Sequence, residues 1–568
     1  MLGSFGRVLT IFLFTLVSTA CSISDGTNVK SETSEANTPK IGIVESTVLP
    51  TPTQVISSPT PIMAVATAEQ SPVATLVAVS TTPSFHGSFD CANVSEIPSS
   101  ECEALEVLYQ STDGNAWSDY DNWLNTNTPC TWMGITCADG HVVELSLFQD
   151  ELIGIIPAEL SQLTKLEKLG IGGNELGGAI PPELSQLSNL EWLTLSGLEL
   201  SGVIPSELSQ LNNLKWLKLN GKLGGTIPSE LSQLSNLEIL DLSGNELSGA
   251  IPAELSQLTK LEELDLSRNE LNGTIPPELS QLNNLERLSL FDNELNGAIP
   301  TELSRLSKLT WFVLSSNKLS GSIPPELSEL NNLEWLNLSG NVLIGAISAE
   351  LSQLTKLEVL NLSSNELNGT IPSELSQLSN LERLNLHSNE LNGAIPSELS
   401  RLNELRMLHL DNNELSGAIP PELSELSQLT WLDLSENALS GNIPPELSEL
   451  NNLVWLNLSS NVLSGGIPPE LSELSNLDTL DLSNNEISGN IPVELSELSK
   501  LKILHLNNTR LGGELPLSLQ SLDLWSLFYH DTDLCEPNDT TFRSWVTNLR
   551  SYQRTRVVCP HRKLSIPE

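Results

Sequence analysis

Positive charge is scarce in this chain. Its 568 residues carry 27 Lys and Arg against 71 Asp and Glu, a formal net charge of −44. Phosphates and anionic lipids repel such a surface, which excludes nucleic acid and extended membrane contact as partners. Long apolar runs are also missing. The one candidate, Val8 to Val17, follows Arg7 and is too short to cross a bilayer. It reads as the core of an export signal over residues 1–20. No cysteine lies between Cys137 and Cys535. No nucleophile elbow, phosphate-cradling loop, zinc-ligand spacing or kinase signature occurs, so the reading is of a protein that is not an enzyme and uses no cofactor or metal.

The residues just after the apolar run are informative. Val17-Ser18-Thr19-Ala20-Cys21 resembles the lipobox of bacterial lipoproteins, departing from it at Ser18, where that motif more often has Leu. The resemblance implies that Cys21 is lipidated and anchors the exported chain to the outer face of a bacterial membrane or cell surface. Six further cysteines remain: Cys91, Cys102, Cys130, Cys137, Cys535 and Cys559. An even number in an exported protein points to disulfides. Residues 21–88 read as a lipid-anchored disordered tether. From Ser46 to Ser84 the only charged residue is Glu69, and Ser, Thr, Pro, Val and Ala dominate. Such a stretch lacks the patterned apolar content of a core. Extended at about 3.1 Å per residue, it would reach on the order of 200 Å, as a stalk or as a plain linker.

Residues 141–534 repeat. Prolines recur from Pro157 to Pro516 in steps of 24 residues, apart from one step of 23, with Ser348 standing in once. About 16 units and a partial one result. One unit reads Leu237-x-x-Leu240-x-Leu242-x-x-Asn245-x-Leu247-x-Gly249-x-Ile251-Pro252-x-Glu254-Leu255-x-x-Leu258. Leu240 and Leu242 alternate with Ile239, Asp241 and Ser243, the period of a short strand buried on one face. Asn245 can donate and accept, so stacked copies can satisfy the turn backbone. Gly249 permits a tight bend. Pro252 suits the first position of a helical turn, and Glu254 its positive end. No unit can bury its apolar side chains alone, so the units must stack into an α/β solenoid with a parallel sheet on its inner, concave side and short helical turns on the convex side. At about 4.8 Å between strands the stack spans roughly 80 Å. Local irregularity is expected where Leu198 replaces the recurrent Asn, and at the shortened unit Leu217 to Leu223.

This spacing, with Leu-x-Gly-x-Ile-Pro, resembles the plant-type class of leucine-rich repeats found in plant receptor-like kinase ectodomains and polygalacturonase-inhibiting proteins. The resemblance implies a leucine-rich-repeat superhelix with ligands on the concave sheet. It extends to the flanks. Ser100-x-x-Glu103 suggests a capping box opening a helix. Trp117, Trp123 and the run Cys130-Thr131-Trp132-Met133-Gly134-Ile135-Thr136-Cys137 are similar to the N-terminal cap of that class, here residues 89–140. Phe542, Trp545 and Leu549 would line a helix in a C-terminal cap over residues 535–568. Disulfide caps at both ends are the expectation. The ends lie too far apart for exchange, so Cys535 can reach only Cys559; three pairings of the other four stay open. The cap resemblance implies Cys91–Cys102 with Cys130–Cys137.

The concave rows carry the candidate site. The residue before the first strand Leu runs through Trp192, Trp216, Trp311, Trp335, Arg383, Met407, Trp431 and Trp455, so six of the eleven tryptophans fall in one row. The next row is polar and includes Asn361, Asn385, His409 and Asp433. The third is mostly Ser, broken by Phe291, His387 and Asp411. Exposed aromatics beside a polar row suit a peptide, a protein surface or a polysaccharide. The pairs recur at 119 and 120 residues, so block duplication explains them equally well. His387 and Asp411 occupy equivalent positions of adjacent repeats and should be neighbours. With no nucleophile expected beside them, they read as ligand contacts or a solvated pair. The function expected is recognition at a cell surface through the concave face. The alternatives are inhibition of an extracellular polysaccharide-degrading enzyme and a passive envelope spacer.

Overall fold

The computed structural model describes residues 89–118, 122–148, 151–555 and 557–559. The export signal, Cys21 and the tether expected over 21–88 lie outside them.

Each coil is built the same way. In the coil around Leu240 the apolar side chains Leu237, Leu240, Leu242, Leu247, Ile251, Leu255 and Leu258 are all buried. The strand Ile239–Asp241 is followed by a second short strand, Glu246–Gly249, and by the 3-10 helix Ala253–Gln257. Gly249 takes φ +78°, a conformation open to glycine. Pro252 stands one residue earlier than expected. It precedes the helical turn with φ −64° and ψ 126°, an extended residue that aims the chain into the turn. Ser348 holds nearly the same angles without the ring.

Among the described residues the stacked coils give three sheets. The largest has 20 strands and is parallel except where Ile135–Ala138 meets His141–Phe148. Along it equivalent positions are in register, so Trp335 pairs with Trp311 on one side and Val359 on the other. An 11-stranded and a 3-stranded sheet are formed by the second strands of the coils. The recurrent Asn ties the coils together. Asn245 Nδ2 donates to the carbonyls of Leu219 (2.8 Å) and Leu242 (2.9 Å), and its Oδ1 accepts from Leu223 N–H at 3.2 Å. Near the coil carrying Leu198 the sheet is irregular. Strands Lys168–Gly178 and Trp192–Leu200 run long, and their register shifts.

The ends are closed by different means. In the helix Ser99–Ser111 the buried Glu101 takes Val142 N–H at 2.9 Å and pairs with His141 Nδ1 at 2.6 Å, fixing the helix to the first long strand. The capping box expected from Ser100 does not form. The helix starts at Ser99 after Pro98, and Ser99 Oγ donates to Glu103 instead. Trp117, Trp123 and Trp132 are buried, and each indole N–H finds an oxygen acceptor. At the far end the helix Thr540–Thr547 is capped by Asp539 and buries Phe542 and Val546. Disulfides join Cys91 to Cys102, Cys130 to Cys137, and Cys535 to Cys559.

Candidate functional site on the concave sheet

The register of the sheet places the six tryptophans of the row as three adjacent pairs, and each pair stacks. Ring centroids are 4.1 Å apart for Trp192–Trp216, 4.4 Å for Trp311–Trp335 and 4.3 Å for Trp431–Trp455, with planes within 18° of parallel. The rings therefore stand on edge like books along the solenoid. Most of the flat area is used within each pair, so the row is not a continuous aromatic floor. Free faces remain only at the ends of a stack. Arg287 covers that of Trp311 at 4.8 Å, and His409 approaches Trp431 at 5.8 Å.

The free face of Trp335 opens onto a hollow of about 170 Å³. Val359 and Leu360 form its floor. Arg383, Met407 and His409 close the far side, and Asn361 and Asn385 present amides along it. The hollow exists because Val359 is small where its neighbours in the row are Trp335 and Arg383. Polar groups around it are incompletely paired. Among the described residues the buried atoms without a partner include His409 Nε2 in its lining and the indole N–H groups of Trp431 and Trp455 beyond it. Burial without pairing costs on the order of 1–3 kcal/mol per group.

Titratable groups cluster on the same stretch. Asp411 accepts from His387 Nδ1 and holds that imidazole above its ordinary value. Burial pulls His409 below its own and pushes the Asp433 carboxyl up. A hydroxyl that sequence spacing does not reveal completes the group: Ser388 Oγ lies 2.8 Å from His387 Nε2, and Asn412 Nδ2 donates to it at 2.6 Å. A second relay runs Asp481, His505, Ser526, with 2.9 Å at both links. Serine and acid or amide recur in these rows, so His387 and His505 each find both partners, whereas His409 Nε2 finds none. Of the candidate residues, Trp335, Arg383, Met407 and His409 meet in one hollow. Trp431, Asp433, Trp455, His387 and Asp411 flank it, Trp311 lies behind Trp335 in its stack, and the Trp192–Trp216 stack lies further along. Val359, Asn361 and Asn385 complete the hollow. Their signal is a small residue and two amides between large neighbours, visible only once the register is known.

Models of leucine-rich repeats match residues 180–322 (a leucine-rich repeat region), 355–415, and single repeats at 332–354, 428–450, 452–474, 476–498 and 500–522. Among solved structures, a TDR receptor is 35% identical, covers 69% of this chain over 68% of its own, and superposes with a TM-score of 0.66. The ectodomain of the Arabidopsis receptor kinase HAESA, solved with a peptide hormone ligand, is 32% identical over 80% of this chain and 86% of its own (TM-score 0.62). A leucine-rich-repeat protein of Leptospira interrogans is 31% identical over 72% and 94% (TM-score 0.54). A probable leucine-rich repeat receptor-like protein kinase of Arabidopsis thaliana shares 35% identity over 80 residues, 12% of this chain and only 8% of that relative.

Proposed function

Because the chain belongs to the leucine-rich-repeat family, we propose that it is an exported recognition protein that binds an extended peptide segment across the concave sheet between Trp335 and Trp455, without catalysis. The observation that carries this reading is the hollow beside Trp335. It offers an apolar floor for one side chain, the Arg383 guanidinium, and an unpaired His409 Nε2 next to the Asn361 and Asn385 amides. Backbone amides of an extended peptide supply the partners such groups need. The HAESA ectodomain was solved with a peptide ligand. The net charge of −44 favours a neutral or basic partner through long-range steering.

The organisation proposed around this face is an export signal over 1–20, a tether from a lipidated Cys21 to residue 88, caps over 89–140 and 535–568, and repeats between them. Display at a cell surface follows from it. Partitioning into detergent, and release to the medium by Cys21→Ala, tests the anchor.

The binding reading is tested by selecting a displayed random-peptide library on the whole chain. Calorimetry then follows the selected peptides on Trp335→Ala and Arg383→Ala. Loss of affinity in both, with Glu254→Ala on the convex side unchanged, is the expected result. Peptides that bind the variants as well as the parent chain would overturn it.

A further inference from the structure

Three departures from the repeat converge on the first strands of the large sheet. The third exposed position of a strand is usually Ser, but the strand His141–Phe148 ends on Phe148. The next coil reads Lys168-Leu169-Gly170-Ile171-Gly172, with glycine at both remaining exposed positions. A Cβ on Gly170 would stand 2.7 Å from the Phe148 ring, and one on Gly172 2.8 Å from it. The glycines thus leave the space in which the ring lies across the neighbouring strand. Glycine inside a strand costs roughly 0.5–1 kcal/mol relative to alanine. Phe148 itself stays 47% exposed, so core burial does not offset that cost.

Beside the ring is Trp192, 37% exposed. Trp216 covers one of its faces, and its N–H donates to Thr194 Oγ1 at 2.8 Å. With Phe148 it bounds a hollow of about 240 Å³ that also holds Glu144, Ser146 and Lys168. Glu144 and Lys168 face each other at 3.8 Å, so their charges cancel.

We propose that this hollow is a saccharide subsite taking a neutral pyranose unit of a glycan. A pyranose has an apolar C–H face and a rim of hydroxyls. Aromatic faces pack on the first; a carboxylate, a hydroxyl and an ammonium can accept from and donate to the second. A balanced ion pair gives no preference for a charged ligand. An aromatic peptide side chain would desolvate the Ser146 hydroxyl and the outer donors and acceptors of the Glu144–Lys168 pair without giving them new partners, which is costly. The subsite lies six strands from Trp335, about 29 Å at the usual strand spacing. It stands independently of the peptide-binding reading.

The test is saturation-transfer NMR on the whole chain with three probes: cellohexaose, laminarihexaose and chitohexaose. Binding of at least one is expected. Phe148→Ser, which restores the usual residue of that row, should weaken it about tenfold. Gly170→Val, which keeps the phenyl group but displaces it, should do the same, and Glu254→Ala on the convex side should change nothing. Circular dichroism confirms that each variant folds. Absence of binding by all three probes overturns the proposal, as does undiminished binding by Phe148→Ser. Preferential binding of phenylalaninamide, again lost in Phe148→Ser, would make the occupant an aromatic peptide side chain and overturn it too.

Discussion

The indole of Trp431 lies parallel to that of Trp455, with centroids 4.3 Å apart and planes 6° from parallel. Each ring is the other's main contact above the sheet, so truncating one exposes a face of the other. Trp431→Ala and Trp455→Ala should each destabilise the coils modestly. A double-mutant cycle by urea denaturation should give a coupling of about 0.5–1.5 kcal/mol. Strict additivity would mean the stack contributes no more than the area it covers.

Binding separates from stability at the ends of the stacks. The free face of Trp335 bounds the hollow, and Trp431 sits beyond His409. Trp335→Ala combined with Trp431→Ala should leave a cooperative fold and weaken a selected peptide by about 2 kcal/mol or more if either is a hot spot. Calorimetry reads this directly. Full affinity in the double variant would make the row a relic of duplication.

Asn365 donates to the carbonyls of Leu338 and Leu362, both at 3.1 Å, and accepts from Leu343 N–H at 3.1 Å. Asn365→Ala leaves the Leu343 N–H buried without a partner, at about 1–3 kcal/mol before relaxation, while Leu338 O and Leu362 O each keep one donor, Asn341 Nδ2 and Asn389 Nδ2. Asn365→Thr should cost less, since Thr509 stands at the equivalent place and reaches Leu506 O at 2.7 Å. Equal denaturation midpoints for the two variants would contradict this.

His387 and His409 should titrate on opposite sides of their common ordinary value of 6.5. The folded state holds the His387 proton more tightly than the unfolded chain does. Its contribution is present below 6.5 and lost as pH rises through the raised value. His409 resists protonation in its buried place, so its contribution is lost as pH falls through 6.5. Imidazole NMR shifts should show His387 charged and His409 neutral near that pH. Asp411→Asn should lower the His387 midpoint.

The convex side repeats one acid, Glu159, Glu183, Glu207 and onward to Glu494, each in the first turn of its 3-10 helix. Each favours its own turn but repels its neighbours. Salt shortens that repulsion to about 10 Å at 0.1 M. The melting temperature should therefore rise with added sodium chloride. A fall would show that ion pairs such as Lys215–Glu191 (2.7 Å) outweigh the column.

Periodicity made the coil legible. Leu240, Leu242 and Asn245 stand at spacings that only a short strand and a turn satisfy, and the core they form is the one observed. Register follows from the constant step, so the adjacency of Trp311 and Trp335 was legible too. Ring orientation was not, because side-chain torsions leave no trace in spacing; hence the tryptophans stand on edge instead of paving the face. The hydroxyl of Ser388 was missed for a related reason. Sequence neighbours alternate sides along a strand, but Ser388 is already past the strand, at φ +52°, and turns back to His387. The place of Phe148 was written in the pair Gly170 and Gly172, two exposed positions without side chains, yet glycine there reads as a turn until the ring is seen above it.

The amide of Asn245 reaches back to Leu219 in the coil before it and closes on Leu242 in its own. From Asn245 to Asn485 each junction between coils is thus a copy of the last, made from groups that each unit brings along. Excising one 24-residue unit joins two surfaces that already fit, and inserting one does the same. The molecule is in this sense a ruler whose length can change by recombination without any new interface. Removing the coil that begins near Arg383 would draw Trp335 and Trp431 closer by one strand spacing, about 4.8 Å, and leave each stack whole. Relatives that differ by whole coils would then differ first in the span between recognition points, and only later in the residues that make them.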